Sequence, residues 1–507
     1  MDLQPEQIRS IVEQVTRELD LRTPGVEAVV AGADRAVEHA EGLRRAALDG
    51  LAPLPDPEKR ANEGARSPRG VHANLDQAVR AAEAGHRALV QWPLSLRDRA
   101  IGHIRAKLRA NVRLLAELAV SETGMGRVDD KMKKNRLVID KTPGIEDLRA
   151  EVITGDHGLT LTECAPYGVI GAAGPSTNPS ETVINNGIGM IAGGNAVVFA
   201  AHPSAKRVSQ LAVSLINEAM VEAGGPDDVI TTVTEPTIES AQAMMAHPKT
   251  RILVVTGGPG VVQAAMASKK KVIAGGPGNP PVVVDETADL ARAGADIVAG
   301  ASLDNNVICT DEKEVFVVAA AADALLRAMA ASGAHVLEVW RLPQLEKLLL
   351  AENKGPRRHS VSHRKWIGKD ASLILKELGI DAPAARLIVV ETPPDHPFVW
   401  TELLMPVLPV ARVKSADEGM DWAVLAEHGF RHTASIHSRN VDRLSKMARM
   451  MDCSIFVKNG PHFAGLGMGG EGMTSFTIAS PTGEGMTTAR TFTRRRRCAL
   501  VDLFRIV

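Results

Sequence analysis

The chain has 507 residues, a formal net charge of −1 at pH 7, and 23% charged residues. This length predicts two or three domains, and the charge balance argues against a nucleic-acid-binding protein, which needs a dominant basic surface. No run approaches the roughly 18 consecutive apolar residues of a membrane span, and the N-terminus lacks a secretion signal. The expectation is therefore a cytoplasmic protein. Abundant glycine (44 residues) and few aromatics (3%) favour an α/β fold.

The first 70 residues have the pattern of an appendage. Apolar residues recur at helical spacing over residues 5–20, with charged residues on the other side, which predicts an amphipathic helix. A second helical stretch, residues 26–48, leads into a linker rich in proline and glycine. A helix on such a linker cannot bury its apolar stripe within itself. It either folds back on the main body or docks in a partner's groove, and docking is favoured.

From Val71 onward the pattern is that of one enzyme body. Helices are predicted over residues 74–90 and 96–123, and alternating polar and apolar residues over 152–163 predict a hairpin. Strands and helices then alternate, with strands at 168–173, 196–200, 229–233 and 252–256 and helices at 179–191 and 204–223. This order predicts a parallel sheet covered by helices on both faces.

Two turns between strands and helices have candidate ligand-binding chemistry. In the turn 174–179, Asn178 either presents its amide to a developing oxyanion or caps the following helix, and the two alternatives stay open. The turn 256–260 is rich in glycine, which permits close approach of a phosphate to a helix N-terminus. It is not a GxGxxG fingerprint and is a weak signal alone. Residues 274–281 are too rich in glycine and proline for a regular element.

Cys309 is the candidate nucleophile. It lies between a glycine-rich stretch and an apolar segment, where a thiolate can add to a carbonyl and hold the acyl group as a thioester. The four cysteines are widely separated and form no CxxC or Cys/His cluster, so no metal site is expected. Glu312 lies close in sequence but is expected to be a solvated surface carboxylate. The sequence does not show what removes the thiol proton.

Many further motifs occur in register along the enzyme body. They are residues 122–127, 134–136, 141–144, 175–179, 193–199, 256–261, 278–288, 304–306, 312–314 and 490–498. Together they resemble the aldehyde dehydrogenase superfamily. Within it, the chain is similar to the CoA-acylating branch, of the propionaldehyde and acetaldehyde dehydrogenase type of bacterial microcompartments.

The resemblance implies a role for each site residue. Cys309 falls on the nucleophile position and Asn178 on the asparagine that holds the oxyanion, together with the Cys309 backbone N–H. Glu402 falls on the glutamate that holds the nicotinamide ribose. The implied cofactor-binding residues are Ser176, Thr177, His202, Thr256, Gly257, Gly258 and Glu402. NAD is the implied cofactor and CoA the implied co-substrate.

One departure from the hydrolytic relatives of this superfamily concerns water activation. Those relatives carry a glutamate in a Glu-Leu-Gly-Gly motif, whereas residues 274–277 here contain no carboxylate. Without a base directed at water, a thiol can take the acyl group instead. The implied reaction converts a short-chain aldehyde, CoA and NAD to acyl-CoA and NADH. The alternatives are a hydrolytic enzyme that makes the free acid and a non-catalytic scaffold associated with a shell.

The resemblance also implies an architecture and partners. The NAD-binding domain comprises residues 71–148 and 167–277, the catalytic domain 278–475, and the oligomerisation arm 149–166 with the C-terminal segment 476–507. A homodimer or homotetramer is expected. Residues 1–20 would target a microcompartment shell protein, with 21–70 as linker, which places the enzyme in the compartment lumen. Two basic runs, 269–271 and 494–497, either contact CoA phosphates or form a solvated face or subunit contact.

Overall fold

A computed structural model describes residues 68–502 and 505–506. The predicted amphipathic helix, residues 5–20, and the second helical stretch, residues 26–48, lie outside the described residues. No helix in the described part of the chain is long and apolar enough to cross a membrane.

The described helices and strands alternate along much of the chain. The helices are α1 (Leu75–Leu89), α2 (Leu94–Ala110), α3 (Val112–Thr123), α4 (Val128–Lys141), α5 (Pro179–Ala192), α6 (Lys206–Glu222), α7 (Ile238–Ala246), α8 (Pro259–Ala267), α9 (Leu290–Ala301), α10 (Ala319–Ala331), α11 (Leu342–Leu349), α12 (Ala371–Glu377), α13 (Ala416–Ala426) and α14 (Val441–Met451). The strands are β1 (Val71–His72), β2 (Glu151–Gly155), β3 (Gly158–Pro166), β4 (Val169–Ala173), β5 (Ala196–Ala200), β6 (Ile230–Val233), β7 (Thr250–Thr256), β8 (Lys271–Gly275), β9 (Pro281–Val284), β10 (Glu314–Val318), β11 (Ala334–Leu337), β12 (Leu350–Glu352), β13 (Val361–Ser362), β14 (Leu387–Glu391), β15 (Val407–Val413), β16 (Thr433–His437), β17 (Ile455–Lys458), β18 (Ile478–Ala479), β19 (Gly485–Met486) and β20 (Thr493–Val501).

The first sheet has six parallel strands in the order β1-β6-β5-β4-β7-β8. Its central strand, β4, is buried along its whole length between β5 and β7. The chain runs outward from β4 to β5 and β6 on one side and continues with β7 and β8 on the other. Ligands bind at such a reversal of strand order, outside the carboxyl ends of the strands. The sheet therefore places the turns after β4, β5 and β7 along one ligand-binding edge, and the predicted parallel sheet is confirmed.

The second sheet has seven parallel strands in the order β11-β14-β15-β10-β9-β16-β17. Its central strand, β10, is fully buried, as expected for a parallel strand covered on both faces. Four of these strands are preceded by loops that carry Cys309, Glu402 and two further residues, Gly278 and His432. Gly278 precedes β9, Cys309 precedes β10, Glu402 precedes β15 and His432 precedes β16. The amino edge of this sheet therefore collects the residues around the nucleophile.

The predicted hairpin is present as the antiparallel pair β2 and β3. Strand β20 pairs along the whole of β3, so the C-terminal segment completes a three-stranded sheet. Val152 is 55% exposed and Ile153 is 69% exposed on the outer strand. The role of this arm in oligomerisation, like the domain boundaries, stays a prediction.

The prediction of one helix over residues 96–123 is wrong. The structure has two helices, α2 and α3, separated at Asn111, whose φ of −111° and ψ of 10° are not helical. The Asn111 side-chain amide donates to the carbonyl of Lys107 at 2.8 Å. Asparagine competes with the helix for backbone hydrogen bonds in this way, which accounts for the break.

Candidate active site

Cys309 lies on a loop with an unusual backbone. Three consecutive residues, Asp304, Asn305 and Asn306, have φ of 47°, 57° and 65°, in the left-handed region. Asparagine and aspartate enter this region more readily than other residues with a Cβ, because their short polar side chains bond locally. The sequence Asp-Asn-Asn therefore suits the sharp reversal between α9 and the nucleophile.

Lys313 holds the loop together from inside. Its ammonium group donates to the carbonyl of Asn306 at 2.9 Å, to Oδ1 of the same residue at 2.8 Å, and to the carbonyl of Ile308 at 3.0 Å. The Asn306 amide in turn donates to the carbonyls of Ala301 and Glu312, at 2.8 and 3.0 Å. These bonds fix the backbone on both sides of the nucleophile.

The surroundings of Cys309 strongly favour its protonated thiol over the thiolate. Burial raises its pKa to about 12, the Glu402 carboxylate adds to the effect, and Lys313 opposes it. At neutral pH the thiol is therefore protonated. The nucleophile needs a proton acceptor within the site before it can attack a carbonyl.

Gly278 is the point at which the loops of the second sheet meet. Its backbone lies near the Glu402 carboxyl and favours the charged form, which lowers the pKa of that group. A Cβ built on Gly278 would lie 2.7 Å from the carbonyl oxygen of Cys309 and 3.0 Å from Cγ of His432. Only glycine allows such close approach, so this position brings Cys309, Glu402 and His432 together.

Glu402 is the group able to accept the thiol proton, whereas His432, which also packs against Gly278, is a weak base. Burial raises the pKa of the Glu402 carboxyl to about 7. Burial and, to a smaller extent, the nearby Lys313 charge lower the pKa of His432 to about 3, so the imidazole is neutral. Its Nδ1 lies 2.9 Å from the hydroxyl of Thr433, while Nε2 has no hydrogen-bond partner among the described residues. His432 could not be singled out from the sequence, since a lone histidine before a strand resembles many structural histidines.

Asn178 ends the turn after β4, and the helix-cap alternative does not hold for its side chain. It occupies the cap position of α5 but makes no side-chain cap bond. Its Oδ1 accepts from Nζ of Lys134 at 2.6 Å, and its Nδ2 lies 3.2 Å from the hydroxyl of Thr177. The side chain is held with its acceptor end toward Lys134, which leaves the amide N–H groups on the other side.

The turn after β7 has the features of an anion site. Helix α8 begins after Gly258 without a side-chain cap, so no capping side chain accepts a hydrogen bond from the N–H groups of its first turn. A Cβ built on Gly258 would meet nothing within 4 Å, so a ligand can approach the backbone. A dinucleotide pyrophosphate fits such a helix N-terminus. The hydroxyl of Thr256 is instead bonded to that of Thr477, at 2.7 Å.

The remaining predicted cofactor residues lie on the same edge. Ser176 and Thr177 are partly buried in the turn after β4, and His202 is exposed in the turn after β5. The Gly257 N–H donates to the carbonyl of Gly275 at 3.1 Å, which ties the turn after β7 to the end of β8. Within residues 68–502 and 505–506, no cluster of three His, Cys, Asp or Glu side chains is arranged to hold a metal ion.

The expectation that Glu312 is a solvated surface carboxylate is wrong. The residue is 1% exposed, and its carboxylate accepts the backbone N–H of His462 at 2.8 Å. Burial raises its pKa well above the ordinary value. A glutamate between polar neighbours gives no sequence signal for burial, because only the packing of α9 and the loop before His462 encloses it.

Some residues of the two basic runs, 269–271 and 494–497, bond to other residues of the chain. Lys270 donates to the carbonyl of His247 and to the hydroxyl of Thr250, and Lys271 donates to the phenol of Tyr167 at 3.0 Å. Residues 494–497 lie exposed on β20, where Arg495 pairs with Glu151. Contact of either run with CoA stays a prediction.

Comparisons with known proteins agree with this geometry. The model of the aldehyde dehydrogenase family matches residues 54–340 and 375–489. The chain belongs to the aldehyde dehydrogenase family. It is 54% identical over 440 residues to the acetaldehyde dehydrogenase (acetylating) EutE of Salmonella typhimurium, covering 86% of this chain and 94% of that protein.

Two solved structures share the fold across nearly their whole length. One is a Rhodopseudomonas palustris propionaldehyde dehydrogenase with bound CoA and an acylated cysteine, at 47% identity and a TM-score of 0.83, covering 85% of this chain and 98% of that one. The other is a propionaldehyde dehydrogenase from the fucose utilisation microcompartment of Clostridium phytofermentans, at 45% identity and a TM-score of 0.84. It covers 87% of this chain and 100% of that one. The predicted fold class and the resemblance to the CoA-acylating branch of this family are confirmed.

The electrostatic link between Glu402 and Cys309 predicts a pH-dependent reactivity. The Glu402→Gln variant removes a negative charge that is present above the Glu402 pKa of about 7 and that disfavours the thiolate. At pH 9, alkylation of Cys309 by iodoacetamide should therefore be roughly threefold to tenfold faster in the variant, since one pKa unit changes the thiolate fraction tenfold. At pH 6, where Glu402 is neutral in the native enzyme, the two proteins should react alike.

Cys453 is the internal control for this measurement. Its pKa is also raised to about 12, by burial and by Glu427, so its alkylation should not respond to the change at Glu402. Peptide mass spectrometry separates the two cysteines. Equal Cys309 rates in both proteins at pH 9 would contradict the assigned electrostatics.

Proposed function

We propose that this chain oxidises a short-chain aldehyde and transfers the resulting acyl group to CoA, with NAD as the hydride acceptor. The observation that carries the proposal is the placement of Cys309. Its thiol stands on a loop that Lys313 holds through the carbonyls of Asn306 and Ile308, and the Glu402 carboxyl, which can take its proton, lies near it. The relatives named as acetylating and CoA-binding support the same chemistry.

The reaction begins with addition of the Cys309 sulfur to the aldehyde carbon. The thiol proton passes to the Glu402 carboxylate, and a carbon–sulfur bond forms as the carbonyl oxygen becomes an oxyanion. The Asn178 amide and the Cys309 backbone N–H donate to that oxyanion and stabilise it. The oxyanion then re-forms the carbonyl as the carbon–hydrogen bond of the adduct breaks. The turn 256–258 would hold NAD, which would supply the acceptor for that hydride. The acyl group then remains on Cys309 as a thioester.

Transfer to CoA completes the cycle. The CoA sulfur adds to the thioester carbon, the bond from that carbon to Cys309 breaks, and acyl-CoA leaves. The balance is aldehyde, CoA and NAD to acyl-CoA, NADH and one proton. The stretch 274–277 holds no carboxylate to activate water, and thiolates attack thioesters without such help. This favours the thiol over water as acyl acceptor.

The choice of NAD over NADP is supported by Glu122. In a doubly wound sheet the adenosine ribose lies near the end of the second strand, which is β5 here. The helix that follows, α6, has the backbone N–H groups of Arg207 and Val208 bonded to the Glu122 carboxylate, at 2.8 and 2.9 Å. A 2′-phosphate approaching that helix N-terminus would meet a negative charge instead of free donors.

The CoA requirement is the direct test of this function. With propionaldehyde and NAD, steady-state NADH formation should depend on CoA, and mass spectrometry should detect propionyl-CoA in equal amount. NADP should support a lower kcat/KM than NAD. The Cys309→Ala variant should lose turnover by at least about a thousandfold while keeping its NAD affinity. Full turnover without CoA, with propionate as product, would establish the hydrolytic alternative instead.

We further propose that the enzyme works inside a bacterial microcompartment and that residues 1–20 dock on a shell protein. The amphipathic pattern of residues 5–20 and a relative from a fucose utilisation microcompartment support this location. Deletion of residues 1–20 should release the enzyme from purified shells without changing kcat or KM. The proposal fails if the truncated enzyme still co-purifies with shells in the same amount as the full chain.

A further inference from the structure

A fully buried cluster of four ionisable side chains lies between the turn 174–179, which carries Asn178, and the loop 302–309, which carries Cys309. Lys131 and Lys134 project from α4, Asp304 belongs to the loop that leads to Cys309, and Glu181 lies in the first turn of α5. All four side chains have 0% exposure. Buried charges are costly unless they are paired, so a cluster of this kind constrains the geometry of everything bonded to it.

Lys134 is the member that touches the site. Its Nζ lies 2.5 Å from Oδ2 of Asp304 and 3.3 Å from Oε1 of Glu181, and it donates to Oδ1 of Asn178 at 2.6 Å. One ammonium group thus joins the asparagine that faces the oxyanion to the loop that carries the nucleophile. Burial alone would lower the pKa of Lys134, but Asp304 and Glu181 raise it above its ordinary value, so the group stays charged.

The chemistry of an ammonium group decides how the Asn178 amide is turned. Lysine has three donors and no acceptor, so only the oxygen end of the amide can face it. The Nδ2 end must then point away, which is the orientation an oxyanion hole requires. The positively charged ammonium group beside the amide oxygen also polarises the amide and makes its N–H groups stronger donors.

We propose that Lys134 is a positioning residue of the oxyanion hole, which sets the orientation of the Asn178 amide and strengthens its donation to the developing oxyanion. This role deepens the proposed function and rests on it, because it presupposes addition of Cys309 to a carbonyl. Lys134 touches neither substrate nor cofactor in this scheme and acts through Asn178.

Lys131 provides a matched control within the same cluster. It is one helical turn away on α4, equally buried, and paired with the same oxygen of Asp304 at 2.9 Å. Its remaining bond goes to the backbone carbonyl of Thr177 at 3.1 Å and not to the Asn178 amide. Lys131→Met and Lys134→Met therefore each remove one lysine nitrogen from the same cluster, and only the second releases the amide.

The test is a double-mutant cycle between Lys134 and Asn178, measured on the single-turnover burst of NADH with propionaldehyde. Loss of one oxyanion donor through Asn178→Ala should slow the burst by about 10²–10³-fold. Lys134→Met should slow it by about tenfold or more in the native background. In the Asn178→Ala background the same change should cost less than about twofold, since the effect passes through the missing amide. Lys131→Met should slow the burst by less than Lys134→Met in the native background.

Other results overturn the inference. Equal slowing by Lys134→Met with and without Asn178, or equal slowing by the two lysine variants, would assign Lys134 a purely structural role. If Lys134→Met does not fold, the double variant Lys134→Met/Glu181→Gln keeps the cluster neutral and enters the cycle in its place. Failure of the proposed function is separable, because the native enzyme would then show no CoA-dependent turnover, whereas failure of this inference leaves that turnover intact.

Discussion

The site depends on the ion pairs that the buried Asp304 carboxylate makes with Lys131 and Lys134. The carboxylate accepts from Lys131 at 2.9 Å and pairs with Lys134 at 2.5 Å through one oxygen, and it accepts the backbone N–H of Arg127 at 2.8 Å through the other. Removing one partner from a buried pair of this kind typically costs about 3–5 kcal/mol, whereas an apolar replacement of the whole pair is often neutral. The cluster therefore contributes less to the stability of the fold than to the geometry of the site. It fixes the start of the nucleophile loop against α4, and through Lys134 it fixes Asn178 as well.

The two sheets supply different parts of the chemistry. The carboxyl edge of the first sheet presents the turns after β4, β5 and β7, with Asn178 and the open helix N-terminus at Gly258. The amino edge of the second sheet presents the loops before β9, β10, β15 and β16, which meet at Gly278. In the proposed function, the turns of the first sheet would hold the dinucleotide pyrophosphate, while the loops of the second sheet carry Cys309 and Glu402. The nucleophile loop keeps three left-handed residues because Lys313 and the buried pair of Asp304 and Lys134 hold the backbone around them.

The sequence predicted most of the first sheet, and the assignment of Cys309 as the nucleophile stays a prediction. Its strands are short apolar runs separated by helical patterns, and these signals are local. Helix α4 was not predicted, because its N-terminal part buries Asp130, Lys131, Lys134 and Asn135, which are residues typical of a solvated face, and its buried apolar residues are confined to the C-terminal part. The break at Asn111 and the burial of Glu312 were missed for a similar reason, since the polarity of a residue does not show whether the fold encloses it.

The roles of Lys134 and His432 were beyond sequence reasoning for a different reason. Lys134 meets Asp304 across 170 positions, and His432 reaches Gly278 across more than 150, so no spacing rule connects them. Cys309 and Asn178 were assigned through resemblance to a family, which names the reacting residues but not the groups that hold them. Those supporting groups become visible only when the packing of α4, the nucleophile loop and the loop before β16 is known.

The central claim is that the acyl group passes through a covalent bond to Cys309, and trapping that bond tests it most directly. Enzyme mixed with propionaldehyde and NAD in the absence of CoA, then quenched in acid, should carry one propionyl group on the peptide that contains Cys309. Adding CoA before the quench should remove the group. Formation of NADH with no acyl group at Cys309, or with the group on another residue, would contradict the account.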